Sequence, residues 1–207
     1  MVQRLVLVDD TNPNIQYSGP WFTAQNTQLN TGNFGPPFQN TLHGVGADAS
    51  FSYSFSGMPR WLLCFWTPIF TLWRFSGSSI YVLGTSITTN SSGSQDPTWE
   101  CFIDNNSIGW NTVVQSAENN WVLCQDTQLQ DGPHVLTVKA TVSNQQTFWF
   151  DEIEYLPSSS VPLDQAMMRI SAGDPILQYS SGWSQLLSFV NITQVGGSTL
   201  TYQFSGS

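Results

Sequence analysis

The sequence predicts an all-β chain. A jelly-roll β-sandwich is expected over residues 1–157, then a linker at 158–163, then an incomplete second sandwich repeat over 164–207. Three observations carry this expectation. Short runs of alternating apolar and polar residues recur between turn signals. The first copy holds no helix-period run of useful length. Finally, a motif appears twice: Ile15-Gln-Tyr-Ser-Gly-Pro-Trp21 and Leu177-Gln-Tyr-Ser-Ser-Gly-Trp183. Each copy runs through a polar loop into an alternating strand, Ser50-Phe-Ser-Tyr-Ser-Phe-Ser-Gly57 and Thr199-Leu-Thr-Tyr-Gln-Phe-Ser-Gly206. The period is about one domain length, which suits tandem binding modules better than an enzyme with one active site.

Taken in order, Arg4–Val8 reads as a strand closed by the turn residues Asp9-Asp10-Thr-Asn-Pro13. Ile15–Tyr17 is a short strand. Residues 23–48 are rich in Asn, Gly and Pro and read as a long loop with an edge strand at Thr41–Gly44. Ser50–Phe55 puts Phe51, Tyr53 and Phe55 on one face. Ser79–Gly84 points Ile80 and Val82 inward, and Thr98–Ile103 and Trp121–Cys124 follow. In Val135–Val142, Val135 faces out and Leu136, Val138 and Ala140 share the inner face, or the reverse. Gln146–Tyr155 closes the domain with Phe148, Phe150 and Ile153 as core candidates. The run Pro157-Ser-Ser-Ser-Val-Pro162 carries the linker signal, and Leu163–Ile170 reads as a strand or short helix before the second copy.

Composition narrows the function. Only 9% of the 207 residues are charged, against a usual ~25%, and Lys139 is the single lysine. Solubility rests on Ser, Thr, Asn and Gln, a surface common on extracellular proteins. Three sequons fit that reading, at Asn90, Asn105 and Asn191. The net charge of -9 repels nucleic acid and anionic lipid, and no Lys/Arg cluster offsets it. Cys101 and Cys124 flank a loop of about two dozen residues, whose closure by a disulfide is worth roughly 3 kcal/mol. Cys64 is left over. No secretory leader is expected from Met1–Asp10, whose apolar run is short and ends in two acids.

Residues 58–77 differ from their surroundings. The stretch carries three of the nine Trp, two of the five basic residues and Cys64. Its apolar run is too short for a membrane helix and contains Pro68. An apolar binding loop is one reading. The preferred one is a retained intron: Gly57-Met58 and Phe75-Ser76-Gly77 can encode splice-like junctions, and the second copy's Phe204-Ser-Gly-Ser207 shows no trace of an insertion.

Few residues suggest catalysis. His43 and His134 are the only histidines, no Gly-x-Ser-x-Gly elbow occurs, and no His/Cys/Asp group has zinc spacing. Asp9-Asp10 and Asp151-Glu152 are expected on neighbouring first and last strands. Turn capping and edge protection is their simplest role; a structural Ca²⁺ site is the second reading, and paired glycosidase carboxylates the third. Aromatic faces stack on pyranose rings while polar side chains read hydroxyls. Trp21, Trp110, Trp121 and Trp149 are candidates; Trp21 and Trp183, at fixed offset from a strand, fit a core corner. Trp110, in a loop with Asn105 and Asn111, and Trp149, alternating with Phe148 and Phe150, are the expected ligand-binding set.

The order Val8-Asp-Asp, Ile15–Trp21, Thr41-Leu-His-Gly44, Ser52–Gly57 joined to Ser79–Thr85, Trp99–Asp104, Leu129–Val138 and Phe148–Tyr155 resembles a group of mushroom-type (basidiomycete) fungal proteins. These are largely uncharacterised extracellular proteins. The resemblance implies tandem galactose-binding-like jelly rolls, a Ser/Thr-rich stalk and a membrane anchor; this chain departs from it in residues 58–77, in the short second repeat and in lacking an anchor. Together these readings point to a non-catalytic surface module that recognises a glycan or cell-wall polysaccharide. No nucleic-acid partner and no cofactor beyond a structural Ca²⁺ are expected. The alternatives are a structural ectodomain without a small ligand, or a carbohydrate-active hydrolase.

Overall fold

A computed structural model describes residues 4–25, 30–57, 78–86, 96–111, 116–143, 146–186 and 190–203; the anomalous stretch 58–77, Cys64 and Asn90 lie outside them. The strands of the first unit are β1 (Arg4–Asp9), β2 (Gln16–Ser18), β3 (Phe22–Gln25), β4 (Thr41–Val45), β5 (Ala49–Gly57), β6 (Ser78–Ser86), β7 (Thr98–Ile103), β8 (Asn106–Gly109), β9 (Glu118–Leu129), β10 (Gly132–Thr141) and β11 (Phe148–Tyr155). A twelfth strand, β12 (Met167–Ile170), follows the linker. The expected all-β sandwich is what forms.

Two antiparallel sheets face each other. One runs β2-β5-β10-β7-β8. In the other, β9, β6 and β11 lie side by side, and the far edge of β11 is shared. Residues 152–155 of β11 pair with β1 and residues 148–150 pair with β4. The outermost strands, β12 and β3, continue from β1 and β4 respectively. From β4 to β7, and again from β9 to β11, the chain alternates between sheets, which is jelly-roll winding.

Period-2 alternation fills the space between the sheets. Phe51, Tyr53 and Phe55 face inward from β5, Leu136, Val138 and Ala140 from β10, and Phe148, Phe150 and Ile153 from β11, all of them buried. Phe51 stacks on Phe150 across the sandwich at 4.2 Å. Val135, on the other face of β10, is exposed. Cys101 on β7 and Cys124 on β9 are joined, so the disulfide ties one sheet to the other.

Several elements differ from the sequence reading, among them the expected loop 105–111, in which Asn106–Gly109 form the strand β8. The supposed loop 23–48 begins inside β3, the four-residue edge strand Phe22–Gln25. Trp121–Cys124 is the centre of a much longer strand, β9. Of the two readings of Leu163–Ile170, the strand is found at Met167–Ile170, and it joins the first unit's sheet, pairing with β1 from Arg4↔Ile170 to Leu7↔Met167. Arg4 then grips Asp174 through two bonds, at 2.7 and 2.9 Å.

The second unit is a set of two hairpin-like pairs. β13 (Leu177–Tyr179) pairs with β16 (Leu200–Tyr202), and β14 (Trp183–Leu186) with β15 (Val190–Thr193). The repeated motif repeats in geometry. Tyr17↔Phe51 recurs as Tyr179↔Leu200. Trp21 donates its indole N–H to the Ser50 carbonyl at 3.1 Å, and Trp183 to the Thr199 carbonyl at 3.1 Å. The packing does not recur: Phe51 is 1% exposed and Leu200 is 49% exposed.

Candidate functional site

The hairpin between β7 and β8 builds the first candidate surface. Asp104 and Asn105 both take positive φ, the two central positions of a tight hairpin turn. Asn105 is thus an exposed turn residue, placed there by backbone demand. At the end of β8, Gly109 with φ +76° redirects the chain into Trp110. Asn111 anchors the other side: its N–H donates to the Leu123 carbonyl at 2.8 Å, and its Nδ2 donates to the Val122 carbonyl at 2.9 Å. The Trp99 indole N–H donates to the same Leu123 carbonyl at 2.8 Å.

Trp110 is held by this scaffold with its ring edge-on to Trp99, centroids 6.4 Å apart, and it remains 49% exposed. On β9, Trp121 is half-buried, and its indole N–H is itself buried and meets no acceptor among the described residues. Phe34 lies parallel to Trp121 at 6.4 Å and is 60% exposed. Asn120 fixes Phe34 by donating from Nδ2 to the carbonyls of Phe34 at 2.9 Å and Pro36 at 3.1 Å. Glu118 accepts the N–H groups of Asn33 and Phe34, and Asn119 donates its N–H to the Thr31 carbonyl. The run Glu118-Asn-Asn-Trp121 thus pins a loop some 85 residues earlier in the chain. No local signal announces such a contact, and sequence reasoning missed Phe34 and Asn120.

Trp149 sits elsewhere. It faces outward from β11, as its alternation with Phe148 and Phe150 predicts, but it is half-buried. Phe22 meets it edge-on at 5.4 Å, and Gly44 lies beneath it. β11 and β9 flank β6, so Trp149 and the Trp110 corner are separated by at least two strand spacings, about 10 Å. The expected ligand-binding residues therefore divide into a Trp110–Asn111 corner, a Trp149 face and a turn residue. Of the two sequons that can be placed, Asn105 is exposed, whereas Asn191 is half-buried and donates its Nδ2 to the Ala172 carbonyl at 3.2 Å.

The acidic pairs meet where β11 passes its edge from β1 to β4. Asp9 lies opposite Glu152 in the β1–β11 register. The backbone groups freed at this fork find carboxylates. Asp151 accepts the Phe38 N–H at 3.1 Å, and Asp9 accepts the N–H and hydroxyl of Thr11. Asp10 accepts the Thr41 hydroxyl at 2.6 Å and pairs with His43 Nδ1 at 2.9 Å. Glu152 and Glu154 share Arg169 of β12, at 2.9 and 2.6 Å. Burial, with neighbouring acids adding to it, pushes Asp151 up to about 8 and Glu152 to about 7. Asp9 and Glu154 are also raised by burial. This is the capping role expected first for these acids. For the Ca²⁺ reading, no group of three His, Cys, Asp or Glu is arranged around a metal position among the described residues.

His134 is structural. Its Nδ1 pairs with Asp104 at 2.7 Å and its Nε2 with the Gln130 carbonyl at 2.8 Å, closing the β9–β10 turn. The described cavities lie away from Trp110 and Trp149. One of about 350 Å³ opens between Asp9, Phe38, Tyr53, Tyr155 and Pro162. Among the described residues no helix is long and apolar enough to cross a membrane.

No protein-family model matches the sequence, and no curated protein matches it. Two solved structures resemble the fold, both catalytic domains of GH87 alpha-1,3-glucanase variants, one in complex with nigerose and one with tetrasaccharides. Each has a TM-score of 0.37 at 10% identity over 76% of this chain. The chain spans 29% and 28% of those two chains, less than a third of their length.

Proposed function

We propose that the protein is a carbohydrate-recognition module of a fungal cell-surface or secreted protein, and that Trp110 is its stacking platform. One observation carries the reading: Trp110 leaves half its surface in solvent while its backbone is held on both sides, by the pairing of Gly109 with Cys101 and by the two bonds of Asn111. An exposed indole costs solubility, and a fixed one loses little entropy when a sugar ring stacks on it. Phe34, 60% exposed and parallel to Trp121, offers a further apolar face. Such a platform works on an open surface and needs no cavity.

The extracellular setting is supported by the low charge, the cross-sheet disulfide and the exposed sequon at Asn105. Asp151 and Glu152 support the choice of binding over glycoside hydrolysis, because both carboxyls are buried and occupied in holding strands together. The direct test is a glycan-array screen of the oxidised chain. Selective binding to one class of neutral glycan is expected. A blank array from protein with a cooperative thermal transition would favour a structural ectodomain.

A further inference from the structure

On the edge strand β3, Thr23 Oγ1 lies 3.2 Å from His43 Nε2, His43 Nδ1 lies 2.9 Å from Asp10 Oδ2, and Thr41 donates to Asp10 Oδ1 at 2.6 Å. Asp10 is fully buried, the His43 side chain is 14% exposed, and Thr23 is open to solvent. The carboxylate accepts from Nδ1, which leaves the Nε2 lone pair facing the hydroxyl. Tyr17 stacks on the imidazole at 4.4 Å and 10°, fixing its plane.

The second repeat is an internal control. Tyr17 donates its hydroxyl to the Asp10 carbonyl at 2.7 Å, and Tyr179 donates to the Ala172 carbonyl at 2.8 Å. Thr23↔His43 corresponds in register to Gln185↔Asn191. Ala172, Asn191 and Gln185 thus replace Asp10, His43 and Thr23, while the same Tyr–Trp corner forms. The scaffold does not require the relay, so its presence in the first unit calls for a separate explanation.

We propose that Thr23, His43 and Asp10 form an acyl-transfer site for small carboxylic esters, such as O-acyl groups on a sugar. Thr23 Oγ1 attacks the ester carbonyl as its proton passes to His43 Nε2. The C–O bond to the alcohol breaks, and the alcohol leaves with that proton. Water then attacks the acyl-threonine, gives a proton to Nε2, and Thr23 recovers it as the acid departs. Among the described residues β3 is the outermost strand on its side of the sheet, and in the proposed site its outward N–H groups would hold the oxyanion. Asp10 is a positioning residue, holding the tautomer. The site is separate from the Trp110 corner and does not depend on the binding reading.

The test is hydrolysis of p-nitrophenyl acetate by the full chain. Saturable turnover is expected, with kcat/KM lowered about 100-fold or more in Thr23→Ala and His43→Asn. Thr23→Ser should retain activity, and Asp10→Asn should lower kcat with KM unchanged. Asn at 43 copies the second repeat, so loss of the fold is not expected. A fluorophosphonate should add to Thr23 in the unaltered chain, read by peptide mass. Release no faster than buffer, wild-type rates in Thr23→Ala, or no adduct on Thr23 would overturn the proposal.

Discussion

Gly44 illustrates how a single residue shapes a surface. A Cβ there would lie 2.5 Å from Trp149 Cζ3 and 2.7 Å from Phe22 Cζ, so only glycine lets the two rings rest on β4. Gly44→Ala should cost about 1–3 kcal/mol through overpacking and shift tryptophan emission as Trp149 lifts into water. An unchanged urea midpoint and spectrum would contradict that packing. The outward direction of Trp149 was legible from the Phe148-Trp149-Phe150 alternation, because period 2 is a local property. Its half-burial was not legible, because Phe22 and Gly44 reach it through pairing across β3 and β4. Asn105 shows the opposite limit: a sequon and a candidate sugar contact by composition, it is set by the turn it occupies. Asn120 and Phe34 carried no signal, since their contact joins residues 86 apart in sequence.

At the level of elements, the alternating strands β5, β7, β10 and β11 were legible, and so was the cysteine pair. The disulfide spans 23 residues and joins opposite sheets. Replacing both cysteines with serine should cost about 3 kcal/mol, a value set by loop length in the unfolded chain. Equal urea midpoints for the variant and the parent would refute a stabilising bridge. The short edge strands β3, β8 and β12 were harder to read. A strand of four residues contributes little periodicity, and its pairing is decided by its neighbour. β12 exists because β1 has a free edge beside it and because Arg169 reaches Glu152 and Glu154. The sequence order of linker and repeat suggests a different assignment, since it cannot register a bridge between β12 and β11.

Across the molecule, charge and burial combine into a pH dependence. The fork between β1, β4 and β11 holds carboxyls raised by burial, to about 8 for Asp151 and about 7 for Glu152, with Asp9 and Glu154 raised as well. Such groups bind more protons in the folded state than in the unfolded one, so stability falls as pH rises from the usual carboxylate range toward about 8. His134, raised by Asp104 against the opposing effect of its own burial, adds in the same direction. Asp174 acts oppositely: its bond to Arg4 pushes it down to about 2, so its contribution is lost only in strong acid. Thermal melts should therefore give a higher Tm near pH 5 than near pH 8. A Tm that rises across that interval would contradict the assigned burial of Asp151 and Glu152.

The whole-molecule reading rests on Trp110 as a fixed, exposed platform. The most direct measurement is a calorimetric titration of the chain and of Trp110→Ala with the glycan selected on the array, alongside thermal melts of both. The account predicts about 2 kcal/mol of lost affinity, roughly 30-fold, with the melting temperature little changed, because the ring supplies contact area at a hot spot and buries little in the core. Equal affinity in the two proteins would contradict it and move recognition away from this corner of the sandwich.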